Sequence, residues 1–209
     1  MGVTERRARE KEALRTKILE AASQLFLEEG FENVSIRRIA EKIEYSPATI
    51  YLYFKDKAEL IEAICEDFFE DLLAAITSAA EHETDPIQAL KTGLRAYIEF
   101  STAHPSHYMV LFGMPAKPAE EISPHDEGLQ AFDLLRDRIR ACLAAGVIAP
   151  QHVETAAQTT WMFVHGVTSL LITSHPQPGF PWLGRDHLID SALDLLIAGL
   201  QNRSLTSPS

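Results

Sequence analysis

The spacing of apolar residues predicts helices along almost all of the 209-residue chain. The first apolar stripe advances in steps of mostly three or four residues, as side chains on one face of an α-helix do, through Leu14, Ile18, Ala21, Ala22, Leu25 and Phe26. No segment shows the alternation of apolar and polar residues that is typical of a half-buried β-strand. The pattern therefore predicts an all-α fold.

Glycine, proline and N-capping residues divide this pattern into about nine helices. Gly30 ends the first helix, and Ser35 caps the second. Ser46, followed by Pro47, begins a third helix that is expected to run to about Tyr53. The next three helices are predicted to begin near Asp56, Asp85 and Pro105, and a seventh, which carries Phe132, follows a loop at 113–126 and ends at Gly146. The last two helices are predicted to span about 151–174 and 186–201, with a loop at 176–184 between them.

Residues 35–57 have the pattern of a helix-turn-helix. Two helices of roughly eight residues separated by about three residues must cross at a steep angle. Ala40 is small enough for a close approach, and apolar side chains fill the space between the helices at Ile39, Ile43, Ile50 and Phe54. The second of these helices then presents its N-terminus, the part that enters the major groove of DNA in such motifs.

The charge of the chain is distributed unevenly, and this distribution fits a nucleic-acid-binding head. The net charge is −11. Residues 1–57 carry 11 basic and 10 acidic side chains, a balance of +1, so the whole of the negative excess belongs to residues 58–209. Basic residues cluster at Arg6, Arg7, Arg9, Lys11 and Arg15, and again at Arg37, Arg38, Lys55 and Lys57. A locally basic surface is what phosphate binding requires, although solvated helix faces would give the same counts.

The segment Thr49-Ile50-Tyr51-Leu52-Tyr53-Phe54-Lys55-Asp56-Lys57-Ala58-Glu59-Leu60 resembles the signature of the TetR family of bacterial transcriptional regulators. The upstream pairs Gly30-Phe31 and Ile39-Ala40 fit the same pattern. One departure is Glu44, which occupies a turn position where the family usually has glycine. If this residue adopts a positive φ, the glutamate costs about 1 kcal/mol.

The resemblance implies a DNA-binding domain at 1–57 and a helical ligand-binding and dimerisation domain at 58–203. It implies that Arg37 and Arg38 contact phosphate or a base edge, and that Pro47, Ala48 and Thr49 face bases. Phosphate contacts are expected from Tyr51, Tyr53 and Lys57, and the complete expected DNA-binding set adds Ser46 and Lys55. Three alternatives stay open, because Tyr51 could be a core tyrosine, Arg38 could be merely solvated, and Lys57 could have no role in DNA binding.

In the predicted body, Trp161 and His165 lie one turn apart, followed by Gly166. This Trp-x-x-x-His-Gly sequence resembles a C-terminal domain found in one TetR branch. The side chains either line a pocket or belong to the core. Aromatic residues are abundant in helices 5 to 8 and predict a site for a small apolar or aromatic effector, lined by Tyr97, Phe100, Tyr108, Phe112, Phe132, Trp161 and His165.

The predicted partners are operator DNA, the effector and a second copy of the chain. Helices 8 and 9 are expected to form the homodimer interface. The residues expected there are Ala156, Ala157, Thr160, Val164 and Leu171 on helix 8, and Leu188, Ile189, Ala192, Leu193, Leu195 and Leu196 on helix 9. The expected function is a repressor released by its ligand; the alternative is a ligand-binding or enzymatic protein that has lost DNA binding.

The sequence shows no pattern of a metal or catalytic site. His104 and His107 lack a second pair of metal ligands at helical spacing, and no phosphate loop or nucleophile motif occurs. We therefore expect a cytoplasmic non-enzyme without a cofactor, catalytic or metal site. No apolar run is long enough to span a membrane.

Overall fold

A computed structural model of the chain describes residues 2–113, 127–175 and 179–202. Across these residues the fold is all-α, as predicted, and the helices are α1 (Val3–Glu29), α2 (Ile36–Ile43), α3 (Pro47–Ile50), α4 (Lys57–Ala79), α5 (Pro86–Ala103), α6 (Pro105–Gly113), α7 (Glu127–Ala144), α8 (Val153–Thr173) and α9 (Arg185–Gln201). A 3-10 turn (Phe31–Asn33) joins α1 to α2. The loops predicted at 113–126 and 176–184 lie largely or partly outside the described residues.

The prediction for α3 is wrong at its C-terminal end. The α-helix ends at Ile50, about three residues before the predicted end at Tyr53. Residues 51–53 continue as turns, in which the amides of Tyr53 and Phe54 both donate to the carbonyl oxygen of Ile50, at 2.9 and 3.0 Å. Last turns of helices commonly tighten in this way, so apolar spacing alone does not locate the final residue.

The described residues form two compact units. The first comprises the residues up to Phe68 together with His104 and α6, and the second comprises Phe69–Ala103 and the described residues from Glu127 onward. The boundary therefore falls within α4. The functional division after Lys57, inferred from the sequence, stays a prediction.

The first unit is built around one apolar cluster. It is formed by Ile18, Ala22, Leu25, Ile39, Ile43, Ile50, Phe54, Leu60 and Ile64, with Val110 contributed by α6. An ion pair extends this packing at its edge, because the Arg15 guanidinium donates to both carboxylate oxygens of Asp67, at 2.5 and 2.9 Å. Hydrogen bonding to Asp67 raises the pKa of Arg15.

In the second unit α5 packs against α7, α8 and α9. Lys91 pairs with Asp194, Arg95 pairs with Asp190, and Arg185 donates to Thr102, so residue numbers rise along α5 as they fall along α9. The two helices are therefore antiparallel. Gly93 lies where α4 approaches α5, because a Cβ at this position would be 3.3 Å from a methyl of Ile76. No helix among the described residues is long and apolar enough to cross a membrane.

Candidate DNA-binding surface

Helix α2 is fixed by its cap and by one apolar face. The Ser35 hydroxyl accepts a hydrogen bond from the Arg38 amide at 3.2 Å, which satisfies one of the free amides of the first turn. The face that carries Ile36, Ile39, Ala40 and Ile43 is buried in the first unit. The opposite face carries the cations of α2 and is exposed.

The turn between α2 and α3 has the left-handed residue anticipated from the sequence. Glu44 has φ 63° and ψ 39°, and it is the one non-glycine residue with positive φ in the described part of the chain. The following amide, that of Tyr45, donates to the Ala40 carbonyl at 2.9 Å. This geometry turns the chain sharply, and an exposed glutamate occupies a position that favours glycine.

The N-terminus of α3 is exposed and well capped. The Ser46 hydroxyl accepts from the Thr49 amide at 3.2 Å and lies 3.0 Å from the Thr49 hydroxyl. Ser46, Pro47 and Ala48 are exposed, Thr49 is half-buried, and Ile50 anchors the helix in the core. The structure thus places the three residues expected to face bases, Pro47, Ala48 and Thr49, together in the first turn of α3, directly after the capping Ser46.

The tyrosines after α3 differ in exposure. Tyr51 is 55% exposed, so its side chain is not part of the core of the first unit. Tyr53 was expected to face outward, but its ring is half-buried and packs against that core. Between them Leu52 is 80% exposed, an apolar side chain that the sequence reasoning did not single out. Its position between two residues assigned to DNA contact was the available signal.

Each cation of α2 is paired with a glutamate. Arg37 contacts Glu41 at 3.0 Å within α2. Arg38 contacts Glu29 at 2.7 Å and Lys42 contacts Glu28 at 3.4 Å, and both of these glutamates lie on α1. Arg38 uses both Nε and Nη2 to reach Glu29, and this hydrogen bonding raises the pKa of Arg38 and lowers that of Glu29. Arg38 therefore links α2 to the end of α1, whereas the Arg37 pair stays within one exposed helical turn.

Lys57 has a structural role that its sequence position did not reveal. Its ammonium donates to the carbonyl oxygens of Phe31, at 2.6 Å, and Val34, at 3.1 Å. It also lies 3.8 Å from the centre of the Phe31 ring, a cation–π distance. By contrast, Lys55 is exposed, and its ammonium has no protein partner among the described residues. A phosphate contact from Lys57 stays a prediction.

The seven residues predicted to line a ligand site are divided between the two units. Tyr108 and Phe112 belong to the first unit, with ring centres 4.7 Å apart. The other five belong to the second unit and are Tyr97, Phe100, Phe132, Trp161 and His165. Neither unit alone contains the whole predicted set, so the ligand site stays a prediction.

Trp161 and His165 contact each other on α8, with ring centres 5.4 Å apart. Trp161 is 37% exposed, and His165 is half-buried. Burial lowers the pKa of His165, which favours the neutral imidazole. The pair was expected either in a pocket or in the core, and this partial exposure is not that of a fully buried core pair.

Comparisons with known proteins agree with the geometry of both units. Residues 18–64 match the family model described as bacterial regulatory proteins, tetR family, and residues 90–196 match the tetracyclin repressor-like C-terminal domain. A helix-turn-helix followed by such a helical body defines a DNA-binding regulator of transcription. The chain belongs to the TetR family of bacterial regulatory proteins. The Trp-x-x-x-His-Gly branch within the family stays a prediction.

Individual relatives are more distant. The nucleoid occlusion factor SlmA of Haemophilus influenzae is 31% identical over 111 residues, which cover 53% of this chain and 50% of SlmA. The transcriptional activator FasR of Mycolicibacterium smegmatis is 26% identical over 98 residues, which cover 47% of this chain and 45% of FasR. The matched segments thus span about half the length of these curated relatives.

A solved structure of the ketosteroid transcriptional regulator KstR2 of Mycobacterium tuberculosis has the same fold. It superimposes with a TM-score of 0.69 and 19% sequence identity, covering 90% of this chain and 95% of KstR2. At that identity the similarity concerns the fold alone.

Proposed function

We propose that this chain represses transcription by binding a near-palindromic operator as a homodimer and is released by a small, mainly apolar ligand. The observation that carries the proposal is the exposed, capped N-terminus of α3, where Ser46, Pro47, Ala48 and Thr49 are presented together. A recognition helix reads base edges from this end. Because DNA-bound regulation is expected to act in the cytoplasm, we place the protein there.

The proposal of a homodimer rests first on α8. Its core side is formed by Ala156, Thr160, Val164 and Leu171, all of which are buried. The segment 155–173 contains no Asp, Glu, Lys or Arg, although it exposes Met162, Phe163 and Leu170. A helix with an exposed, uncharged side is typical of an interface with another protein.

Helix α9 has a similar free side. Ile189 and Leu193 are buried, while Asp190 and Asp194 pair with cations of α5. The remaining side is uncharged and consists of Leu188, Ser191, Ala192, Leu195, Ala198 and Gly199. We therefore propose a second copy of the chain as the occupant of both free sides, in a bundle of two helices from each protomer.

This proposal changes which residues we assign to the interface. Ala156, Ala157, Thr160, Val164, Leu171 and Leu193 were expected there, but all six are buried within the second unit of one chain. Apolar spacing identified α8 and α9 as helices with excess apolar width, but it could not assign each side to its partner. In the proposed interface Met162 and Leu170 replace the buried residues of α8, and Leu195 stays as an exposed member of the set expected on α9.

The effector is the least constrained part of the proposal. The aromatic side chains Phe100 and Phe132 are half-buried on helices of the second unit. Helix α8, in the same unit, contains no Asp, Glu, Lys or Arg after Glu154, and its one titratable side chain beyond that point is His165. Such surroundings favour an apolar molecule with few polar groups. Proteins of similar fold include a ketosteroid transcriptional regulator and a fatty acid degradation regulator, and both names fit this class of effector.

The decisive experiment is selection of bound duplexes from a randomised DNA pool, followed by affinity measurements. The wild-type protein should enrich a near-palindrome with half-sites about one helical turn apart. Thr49→Ala should relax preference at one base pair, at a cost of about 1–3 kcal/mol for the cognate base. Leu129→Ala, an exposed change on α7, is the control. Failure of the wild type to enrich any sequence would refute the proposed function.

A further inference from the structure

Four polar residues are fully buried in the described part of the chain, and two of them satisfy their hydroxyls locally. The Ser23 hydroxyl donates to the Leu19 carbonyl at 2.9 Å, and the Thr168 hydroxyl donates to the Val164 carbonyl at 2.7 Å. Both bonds run one turn back along the helix, which is a common arrangement for serine and threonine inside helices. Burial alone therefore does not leave a helical hydroxyl of this fold without a partner.

The other two buried hydroxyls belong to Ser101 on α5 and Thr160 on α8. Both residues are 0% exposed, and neither side-chain oxygen has a hydrogen-bond partner among the described residues. A buried hydroxyl without a partner has lost its bonds to water and gained none in return, which lowers the stability of the fold. Native structures contain few such groups, so each one requires a reason, and a bound molecule that supplies the missing bond is one.

Both hydroxyls lie in the second unit, on two helices that pack against each other. Ser101 ends a buried stripe of α5 that advances by four, three and four residues through Leu90, Leu94 and Tyr97. Tyr97, one turn before Ser101, is among the residues predicted to line the effector site. The two unpartnered hydroxyls therefore lie on the inward faces of helices that already carry predicted effector residues.

These two inward faces are uncharged. The buried stripe of α5 is apolar apart from its two hydroxyls, and the segment 155–173 of α8 contains no Asp, Glu, Lys or Arg. The cations of α5, Lys91 and Arg95, pair with aspartates of α9. A buried carboxylate or ammonium needs an opposite charge beside it, whereas an alcohol or a ketone needs only a hydrogen-bond partner. The two faces therefore suit a neutral molecule.

We propose that Ser101 and Thr160 are hydrogen-bonding positions for the effector, and that the effector is an uncharged, mainly apolar molecule with alcohol or ketone oxygens. This inference rests on the proposed release by a ligand and narrows the chemical class of that ligand. A serine or threonine hydroxyl can donate to a ketone oxygen, and it can donate to or accept from an alcohol.

The burial of the two hydroxyls also connects binding to movement. Because both oxygens are fully buried in the structure, a ligand that reaches them must displace parts of α5 or α8. The bonds that it makes there are then gained only in the displaced arrangement. A ligand that interacts more strongly with one of two arrangements shifts the equilibrium toward it, as release from an operator requires.

The first test needs no ligand. Ser101→Ala and Thr160→Val each remove one unpartnered hydroxyl with little change of volume, so each variant should melt about 2–4 °C above the wild type. Thr168→Val is the matched control, because its hydroxyl already donates to the Val164 carbonyl and its removal should bring no gain. Melting temperatures of Ser101→Ala and Thr160→Val at or below that of the wild type would overturn the inference.

The second test uses pairs of probes that share an apolar part and differ in charge: decanol and decanoate, cyclohexylmethanol and cyclohexanecarboxylate, and naphthylmethanol and naphthoate. Isothermal titration calorimetry should show that the wild type prefers the alcohol in the pair that binds most tightly. Affinity for that alcohol should fall about 3- to 10-fold in Ser101→Ala and in Thr160→Val, the loss expected for one hydrogen bond, and should be unchanged in Thr168→Val.

The outcomes separate this inference from the proposed function. A wild type that binds none of the probes, or that binds alcohol and carboxylate equally, would overturn the inference, as would unchanged alcohol affinity in both hydroxyl variants. Release is measured separately, by fluorescence anisotropy of a labelled operator duplex. A bound alcohol that leaves operator affinity unchanged would refute release by a ligand and leave the hydroxyl contacts in place.

Discussion

The two compact units of the chain use their surfaces differently. The first unit gathers its apolar side chains into one cluster and covers the surface around it with charged groups, many of them in ion pairs. The second unit has a buried core of its own but leaves uncharged sides of α8 and α9 exposed, including Met162 and Leu195. The first surface suits a charged, hydrated partner, and the second suits another apolar protein surface.

This difference shows that charge and burial must be considered together. The cations of α2 first suggested a basic surface, yet each is balanced by a glutamate in the structure. The apolar residues of α8 first suggested an interface, yet the ones named for it are buried within the chain. In both units we therefore look for contacts with a partner among the residues that remain exposed in the folded chain.

The largest expected effect comes from placing a charge on either side of α9. Leu193 is 0% exposed, so Leu193→Glu buries an unpaired carboxylate at a cost of several kcal/mol and should unfold the second unit. Leu195 is 70% exposed, so Leu195→Glu should fold normally but remain monomeric. Circular dichroism measures folding, and analytical ultracentrifugation measures the oligomeric state.

Leu129→Glu is the control for this pair, because Leu129 is an exposed leucine on α7 and the change adds the same charge. It should fold and dimerise like the wild type. A Leu195→Glu protein that is still dimeric would exclude the free side of α9 from the interface and remove the proposed contrast between the units.

The second prediction concerns the stability of the first unit. Lys57→Met removes the ammonium that binds the carbonyl oxygens of Phe31 and Val34, and hydrogen bonds from a charged donor are worth about 2 kcal/mol. Lys55→Met removes the same charge from an exposed site two residues earlier. Chemical denaturation should therefore show a loss of stability for Lys57→Met and little change for Lys55→Met. Equal stabilities would mean that Lys57 is free for phosphate binding, as the sequence suggested.

The case of Lys57 shows where prediction from the sequence ends. Helix positions follow from apolar period and capping residues, and the Ser46-Pro47 start of α3 was anticipated correctly. A lysine on the first turn of a helix is equally suited to phosphate and to a nearby carbonyl. The choice depends on Phe31 and Val34, which lie more than twenty residues away in sequence. Long-range contacts of this kind carry no local signal.

Helix α9 makes the same point for the body. Its sequence has more apolar width than one packed face needs, but whether Leu193 or Leu195 faces the core depends on how α5 lies against it. In the structure Ile189 and Leu193 are buried, and Asp190 and Asp194 beside them pair with Arg95 and Lys91 of α5. In contrast, the strain at Glu44 was predictable, because the family pattern places glycine there and the backbone geometry of the turn is local.

The third prediction uses this strained turn. Glu44→Gly removes the steric cost of a left-handed residue and should stabilise the protein by about 1 kcal/mol, since the glutamate side chain is exposed. Glu20→Gly is the matched change of an exposed glutamate inside α1, where glycine should destabilise by about 1 kcal/mol. Denaturation midpoints of opposite sign relative to the wild type would confirm the pair. A destabilised Glu44→Gly would show that its side chain has a stabilising contact.

The smallest expected effect concerns the pH dependence of the second unit. Burial lowers the pKa of His165 below its ordinary value of 6.5, so the unfolded chain binds more protons at this site than the folded chain between those two pKa values. Stability should therefore decline as pH falls through about 6.5 and level off below the folded pKa. His165→Gln keeps a polar side chain without this titration, and its melting temperature should vary less than that of the wild type between about pH 5.5 and 7.5.

The control is His187→Gln, which changes an exposed histidine on α9 and should leave the wild-type dependence of melting temperature on pH in place. Parallel profiles for the wild type and His165→Gln would show that the imidazole is as well solvated when folded as when unfolded. That result would place the Trp161–His165 pair on the open surface and weaken its assignment to an enclosed effector site.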